Sequence, residues 1–182
     1  MTIPLYRRLL GARFDALPAR VGELHDLTAP QVWAGRADVE RGTSWVARAA
    51  ARLLSLPPTG PDQALSVAFE PVAGREVWTR TFGRSVFQSL QYERGGRLFE
   101  RVGPVSLVFA LDVSSTGLSL QLTSVRLLGM PLPRWLHPSV RTLESEHDGR
   151  YRFEVESRLP LLGLLVRYSG WLERATATQR RG

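Results

Sequence analysis

Leu128-Gly-Met-Pro-Leu-Pro-Arg-Trp-Leu-His-Pro138 is an apolar loop stiffened by three prolines, and it interrupts a run of strand-like sequence from Leu118 to Leu172. Before it, Leu118 to Leu127 is led in by Ser114-Ser-Thr-Gly117, across which it faces Val105 to Val113. After it, Val140 to His147 and Tyr151 to Arg158 meet at Asp148-Gly149, a dipeptide that favours a tight hairpin turn. A last strand-like segment, Ser157 to Leu172, carries its own apolar break at Leu159-Pro-Leu-Leu-Gly163. Two-residue periodicity between closely spaced turn signals reads as antiparallel sheet.

Working back towards the amino terminus, the same grammar holds. Leu65, Val67 and Phe69 alternate with small or polar residues up to Pro71-Val-Ala-Gly74, and Trp78 and Phe82 interleave with Glu76 and Arg80 up to Gly83. Arg84 to Tyr92 then faces Arg97 to Val102 across Glu93-Arg-Gly-Gly96. This makes roughly ten antiparallel strands in hairpin order, many about nine residues long. So many long strands accumulate twist and leave hazardous edges if the sheet stays open, so the meander is expected to curl into a barrel or half-barrel, or else to split into a sandwich.

Helical spacing appears only before residue 64. Leu5, Tyr6, Leu9, Leu10, Phe14 and Leu17 make one stripe behind Pro4, with a break expected near Asp15 to Leu17 and a second short helix carrying Val21 and Leu24 up to His25-Asp26. From Gln31 the period is two, with Val32, Ala34, Arg36 and Asp38 on one face and Trp33, Gly35, Ala37 and Val39 on the other, until Arg41-Gly42. Thr43 or Ser44 can cap a third helix, whose stripe is Trp45, Val46, Ala49, Ala50, Leu53 and Leu54 and whose end is Pro57-Pro58. The expected fold is β-dominated α+β: one domain over residues 1–173, helices at 4–25 and 43–55, strands at 32–40 and 64–172, and a disordered basic tail at 174–182. The helices pack on the curled sheet or cap it.

The chain has 182 residues and a net charge of +7, with 24 basic residues, every one arginine, and no cysteine. Absence of cysteine excludes disulfides and thiol chemistry and removes the usual ligands of a structural zinc site. The absence of lysine and asparagine reads as codon usage. The arginines alternate with glutamates, as in Arg150-Tyr-Arg-Phe-Glu-Val-Glu-Ser-Arg158, which reads as a solvated sheet face with cross-strand ion pairs rather than a nucleic-acid surface. Met1-Thr-Ile-Pro-Leu-Tyr-Arg-Arg8 has neither the charge order nor the apolar run of a signal peptide or membrane span, so the cytoplasm is the expected compartment.

Across most of its length the chain resembles a bacterial family, the domain of unknown function numbered 4166. The resemblance lies in Leu5-Tyr-Arg-Arg-Leu-Leu-Gly11, Leu17-Pro18 with Leu24-His-Asp26, Trp33-Ala-Gly-Arg36 with Glu40-Arg-Gly42, Trp78-Thr-Arg-Thr-Phe-Gly83, Leu127-Leu-Gly-Met-Pro-Leu-Pro133 and Pro160-Leu-Leu-Gly-Leu-Leu-Val-Arg-Tyr168. It implies no activity. It does imply occasional fusion to reductases similar to saccharopine dehydrogenase, hence a possible reductase partner domain. This chain has no Gly-x-Gly-x-x-Gly turn opening a helix, so no dinucleotide or other cofactor is expected on it.

Catalytic candidates are few. His25-Asp26 offers a base beside a carboxylate, although neighbours at a helix end rarely face one another, and capping accounts for both. Asp38 with Glu40, and Glu144 with Glu146, share strand faces, and either pair could do acid and base work if enclosed. His25, His137 and His147 have no paired spacing, so no metal site is expected. Arg126, Arg158 and Arg167 sit beside apolar breaks. They either anchor an acidic group of a ligand, together with Tyr168, or cap the rim and pair with Glu154, Glu156 or Glu173. Met130, Leu132, Trp135 and Leu136 give the proline loop more apolar surface than a solvated connection needs. The loop therefore plugs the barrel end, forms a portal, or touches a membrane through Met130 to Leu136.

Three functions fit these residues. The leading expectation is a module binding an apolar or amphipathic, lipid-like small molecule in the cavity of the curled sheet. A cyclase or isomerase using the same cavity, with acid and base from His25, Asp26, Asp38, Glu40 or Glu144, is the second. A protein-interaction or membrane-peripheral domain is the third.

Overall fold

A computed structural model describes residues 3–175. Its strands are β1 (Gln31–Arg41), β2 (Gly60–Val72), β3 (Arg75–Phe82), β4 (Ser85–Arg94), β5 (Arg97–Val102), β6 (Val105–Ser114), β7 (Gly117–Leu127), the two-residue β8 (Met130–Pro131), β9 (Ser139–His147), β10 (Arg150–Leu159) and β11 (Gly163–Arg174). The helices are α1 (Leu5–Leu10), α2 (Ala19–His25) and α3 (Trp45–Leu53), with 3-10 turns at Gly11–Ala16 and Arg134–Leu136. The tail expected to be disordered lies outside the described residues from position 176. Arg174 still belongs to β11, and the Ala175 amide donates to the Val32 carbonyl at 2.8 Å.

The sheet closes. Ten strands follow one another around a ring, each antiparallel to the next and most joined as hairpins; β1 reaches β2 through α3, β7 pairs with β9 past the short β8, and the first strand meets the last. That last seam runs from Trp33↔Arg174 to Arg41↔Val166. It depends on glycine: a Cβ at Gly35 would lie 1.9 Å from the Trp171 carbonyl oxygen, and one at Gly170 would lie 2.1 Å from the Arg36 carbonyl oxygen. Backbones so close together exclude any side chain there, and the strands can bend to complete the ring.

Because every strand runs against its neighbours, alternate connections fall at opposite ends of the barrel. One end receives the amino-terminal helices and the turns at 73–74, 95–96, 115–116 and 148–149. Here Leu5, Tyr6, Leu10, Phe14, Val21 and Leu24 are all buried, forming a plug in which each side chain contributes on the order of 1.5–3 kcal/mol by leaving water. Gly11 (φ 55) ends α1 earlier than the stripe predicts, and the chain continues as the 3-10 turn. Arg7 holds the pieces together: its Nε and Nη2 donate to Asp26 at 2.8 and 3.0 Å, its Nη1 donates to Asp15 at 3.2 Å, and its guanidinium lies over Phe14. Arg20 ties the plug to the wall, its amide donating to Glu146 Oε2 and its Nε to the Gly149 carbonyl, both at 2.8 Å.

The other end carries α3, the turns at 83–84, 103–104 and 160–162, and the loop 128–138. Ser44 caps α3, its Oγ accepting from the Ala47 amide at 3.2 Å. The predicted stripe is only half right. Ala47 and Ala51 are the buried residues, while Trp45 is 75% exposed and Leu53 is also in solvent. The small residues face the wall because α3 lies close to the start of β11: a Cβ on Gly42, just after β1, would lie 1.7 Å from the Leu164 carbonyl oxygen of β11 and 3.0 Å from Ala47 Cβ.

Candidate functional site

The barrel encloses a cavity of about 440 Å³. Inward positions alternate along each strand, so its walls are predominantly apolar, with Phe82, Phe87, Phe109, Leu120, Phe153 and Leu165 among them. Towards the loop end it reaches Leu53 of α3 and Leu54 just after it, and Leu127, Leu132, Leu136 and Leu159. Leu53, Leu127 and Leu136 are exposed as well, so this end is the mouth. The proline loop covers the mouth in part. The Leu132 amide donates to the Val125 carbonyl at 3.0 Å, and His137 Nε2 lies 3.0 Å from the Leu132 carbonyl oxygen.

The end beside the plug is polar, with two clusters. In the first, Arg80 Nη1 donates to Ser89 Oγ at 2.9 Å and Nη2 to Glu100 Oε1 at 3.4 Å, and the guanidinium lies over the rings of Trp78 and Phe87. Arg80 and Glu100 are only 12% and 13% exposed, so the pair is largely cut off from screening by bulk water. In the second, His25 Nε2 lies 2.5 Å from Glu144 Oε2 with both side chains almost wholly buried, and the His25 ring lies against Tyr6, tilted by 30° with centroids 3.7 Å apart. Tyr6 donates to Gln91 Oε1 at 3.0 Å, and Trp78 Nε1 donates to Glu76 Oε2 at 3.0 Å. His25 Nδ1 and Glu76 Oε1 have no partner among the described residues.

Burial dominates the electrostatics of this region. It pushes the Tyr6 and Tyr151 phenols well above 10.0, reinforced in each by the nearby Glu144 carboxylate, and it raises Tyr168 too, against the pull of Arg80. Burial also raises the Glu76 carboxyl above 4.5, with His25 and the Trp78 indole opposing. On the surface the signs reverse. Hydrogen bonding to Arg7 lowers Asp26, and Arg158 and Arg167 hold Glu156 down at about 2.

The structure brings some sequence candidates together and separates others. His25 and Glu144 touch across 119 positions of sequence, and Glu144 and Tyr168 line the same cavity. Asp26 is turned away to Arg7, Asp38 Oδ1 accepts from the Asp62 amide at 2.8 Å, and Glu40 pairs with Arg167, the last two on the barrel exterior. Arg126 is exposed near the mouth. Arg158 and Arg167 are outside the cavity, donating to Glu156 at 2.6 and 2.5 Å. Met130 and Trp135 project from the loop into solvent, Trp135 72% exposed. Among the described residues no three His, Asp or Glu side chains gather as a metal would require.

Sequence reading missed Arg80, Glu100, Gln91, Tyr6 and Tyr151. For Arg80 the signal was present: Glu76, Trp78, Arg80 and Phe82 have the same parity, and two buried aromatics on that face bring the charged residues inside with them.

The fold and site define a class: a closed ten-stranded antiparallel barrel, plugged at one end by helices, with an apolar cavity open at the other and a polar cluster at its base. The family model described as Domain of unknown function (DUF4166) matches residues 17–172, from before α2 into the last barrel strand, and the chain belongs to that family. Comparison with the curated proteins and with the solved structures returns no match.

Proposed function

We propose that this barrel binds an apolar or amphipathic small molecule, lipid-like in character, with its apolar body among the leucine and phenylalanine side chains and its polar group towards Arg80, Glu100 and Tyr168. One observation carries the reading. A cavity of about 440 Å³ is walled predominantly by apolar side chains, with the charged groups Arg80, Glu100 and Glu144 among its lining. Its size falls in the range of about 300–1,000 Å³ typical of small-molecule sites, and a few convergent polar groups in an apolar pocket are what fixes a ligand's orientation.

Native mass spectrometry of gently purified protein, beside its denatured mass, tests this directly. A stoichiometric added mass that extracts into organic solvent is expected. Leu107→Trp, which places an indole in the cavity, should weaken uptake of a fluorescent fatty acid by at least about tenfold, about 1.4 kcal/mol. Unchanged uptake in Leu107→Trp, with the fold intact by circular dichroism, would place the probe elsewhere and sink the reading.

A cyclase or isomerase in the same cavity is favoured by one contact. Glu144 lines the cavity while His25, behind it, holds its carboxylate at 2.5 Å, as a base and its orienting partner would be held. On this reading Glu144→Gln retains ligand uptake and loses turnover; turnover surviving that substitution would remove Glu144 from the chemistry.

A further inference from the structure

We propose that the mouth end of the barrel docks on an anionic lipid bilayer. The docking uses only the rim and stands whether or not the cavity takes a ligand.

Apolar exposure is concentrated at this end. Of the thirteen exposed large apolar residues among those described, ten lie on the mouth connections or, as Val86 and Leu127, at the strand ends beside them, and only Ile3, Val72 and Leu143 lie elsewhere. Trp45 and Leu53 on α3, Met130 and Trp135 on the proline loop, and Leu161 and Leu162 in the β10–β11 turn form its crown. Two of the ten are held there against backbone preference. Leu128 (φ 52) and Leu161 (φ 61) occupy left-handed positions where glycine or asparagine fits at less cost, and both side chains point into solvent. Three separate connections thus raise apolar side chains around one opening, as a surface made to leave water would.

The charge on the same connections identifies the partner. Segments 41–60, 83–86, 101–106, 126–138 and 158–166 contain eight arginines and no aspartate or glutamate. Arg48, Arg52, Arg84, Arg101, Arg126 and Arg134 are exposed and form no ion pair among the described residues. The corresponding segments of the plug end, 4–30, 71–76, 93–98, 112–118 and 146–151, carry eight arginines balanced by eight acids. A rim of apolar side chains interleaved with unpaired arginines matches an interface of acyl chains beneath anionic headgroups. A second copy meeting it face to face would set the arginine rims against each other, which like-charge repulsion disfavours.

The geometry is docking, not spanning. Outward positions on the strands are charged, as with Arg36, Asp38 and Glu40 on β1 and Glu154 and Arg158 on β10, whereas a lipid-facing barrel wall is apolar. Among the described residues no helix is long and apolar enough to cross a membrane.

Flotation with unilamellar vesicles is the test, comparing pure phosphatidylcholine with phosphatidylcholine containing phosphatidylglycerol. The protein should float with the anionic vesicles, weakly with the neutral ones, and less as salt rises. Each rim arginine near an anionic surface contributes roughly fivefold to partitioning, so Arg84→Ala with Arg126→Ala should cut binding by at least about tenfold. Met130→Ser with Trp135→Ser should cut it comparably, while Arg13→Ala with Arg94→Ala, an equal loss of charge at the plug end, should leave it nearly unchanged. No flotation with anionic vesicles overturns the proposal. So does an equal loss from the rim and plug-end arginine variants, which would reduce the effect to net charge. A concentration-dependent dimer by size-exclusion chromatography that the Met130 and Trp135 substitutions dissociate would assign the rim to a second copy and overturn it as well.

Discussion

Short helices cover both ends of this barrel, and they are used in opposite ways. At the plug end α1, the 3-10 turn after it and α2 drive Tyr6, Phe14, Val21, Leu24 and His25 into the barrel and lock them with Arg7 and Arg20. At the mouth α3 buries only Ala47 and Ala51 and leaves Trp45 and Leu53 largely in water. Neither helical periodicity nor composition distinguishes them. What differs is where stability is held: the plug is part of the core, and the mouth is a rim that the core supports without relying on it.

The largest effect expected from this contrast is on stability. Phe14→Ala should lower unfolding free energy by about 3–5 kcal/mol, whereas Leu53→Ala at the mouth should change it by less than about 0.5 kcal/mol, both read by urea denaturation. Comparable losses at the two sites would mean that α3 is core after all. Next is Tyr6→Phe, which strands the buried Gln91 carbonyl and should cost about 1–3 kcal/mol.

The pH dependence sharpens the contrast further. Tyr6, Tyr151 and Tyr168 have folded pKa values raised above 10.0, so the unfolded chain releases their protons first. Their contribution to stability is whole below pH 10.0 and is lost as the pH rises from there towards the folded values. Tyrosinate absorbance from these three should therefore appear together with loss of near-ultraviolet ellipticity, and Tyr6→Phe should move the alkaline transition upward relative to its own neutral stability. Ionisation while the fold persists would show that water reaches the plug. The smallest effect is at the rim: Trp45→Ser should leave the thermal midpoint almost unchanged and be seen only in vesicle binding.

Much of the architecture was legible because antiparallel hairpins announce themselves locally. Glu93-Arg-Gly-Gly96, Ser114-Ser-Thr-Gly117 and Asp148-Gly149 each turn where their chemistry says they should, and Gly11 and Pro18 punctuate the helices. Closure was not legible, since nothing in residues 33–41 alone names residues 166–174 as their partner. The site divides along the same line. Glu144 could be named as a carboxylate worth enclosing, but its partner His25 arrives from a helix that precedes every strand, and only the closed ring brings them to 2.5 Å. Along the sequence the arginines show no such division, because alternate connections belong to opposite ends. Sorted by end, they separate into a balanced set and an unbalanced one.

The glycine seam between β1 and β11 has a kinetic meaning as well. Residues near 35 must wait for residues near 172 before either strand loses its open edge, so the ring cannot close on a growing chain until β11 has been made. Pairings this distant in sequence place the barrel among slow folders, roughly on the millisecond-to-second scale. In the interval β1 and β10 both present unpaired edges, as a ready template for misassembly. Val32, Trp33 and Val39 on the first of those edges make residues 31–41 the stretch a chaperone would most need to shield until the last strand arrives.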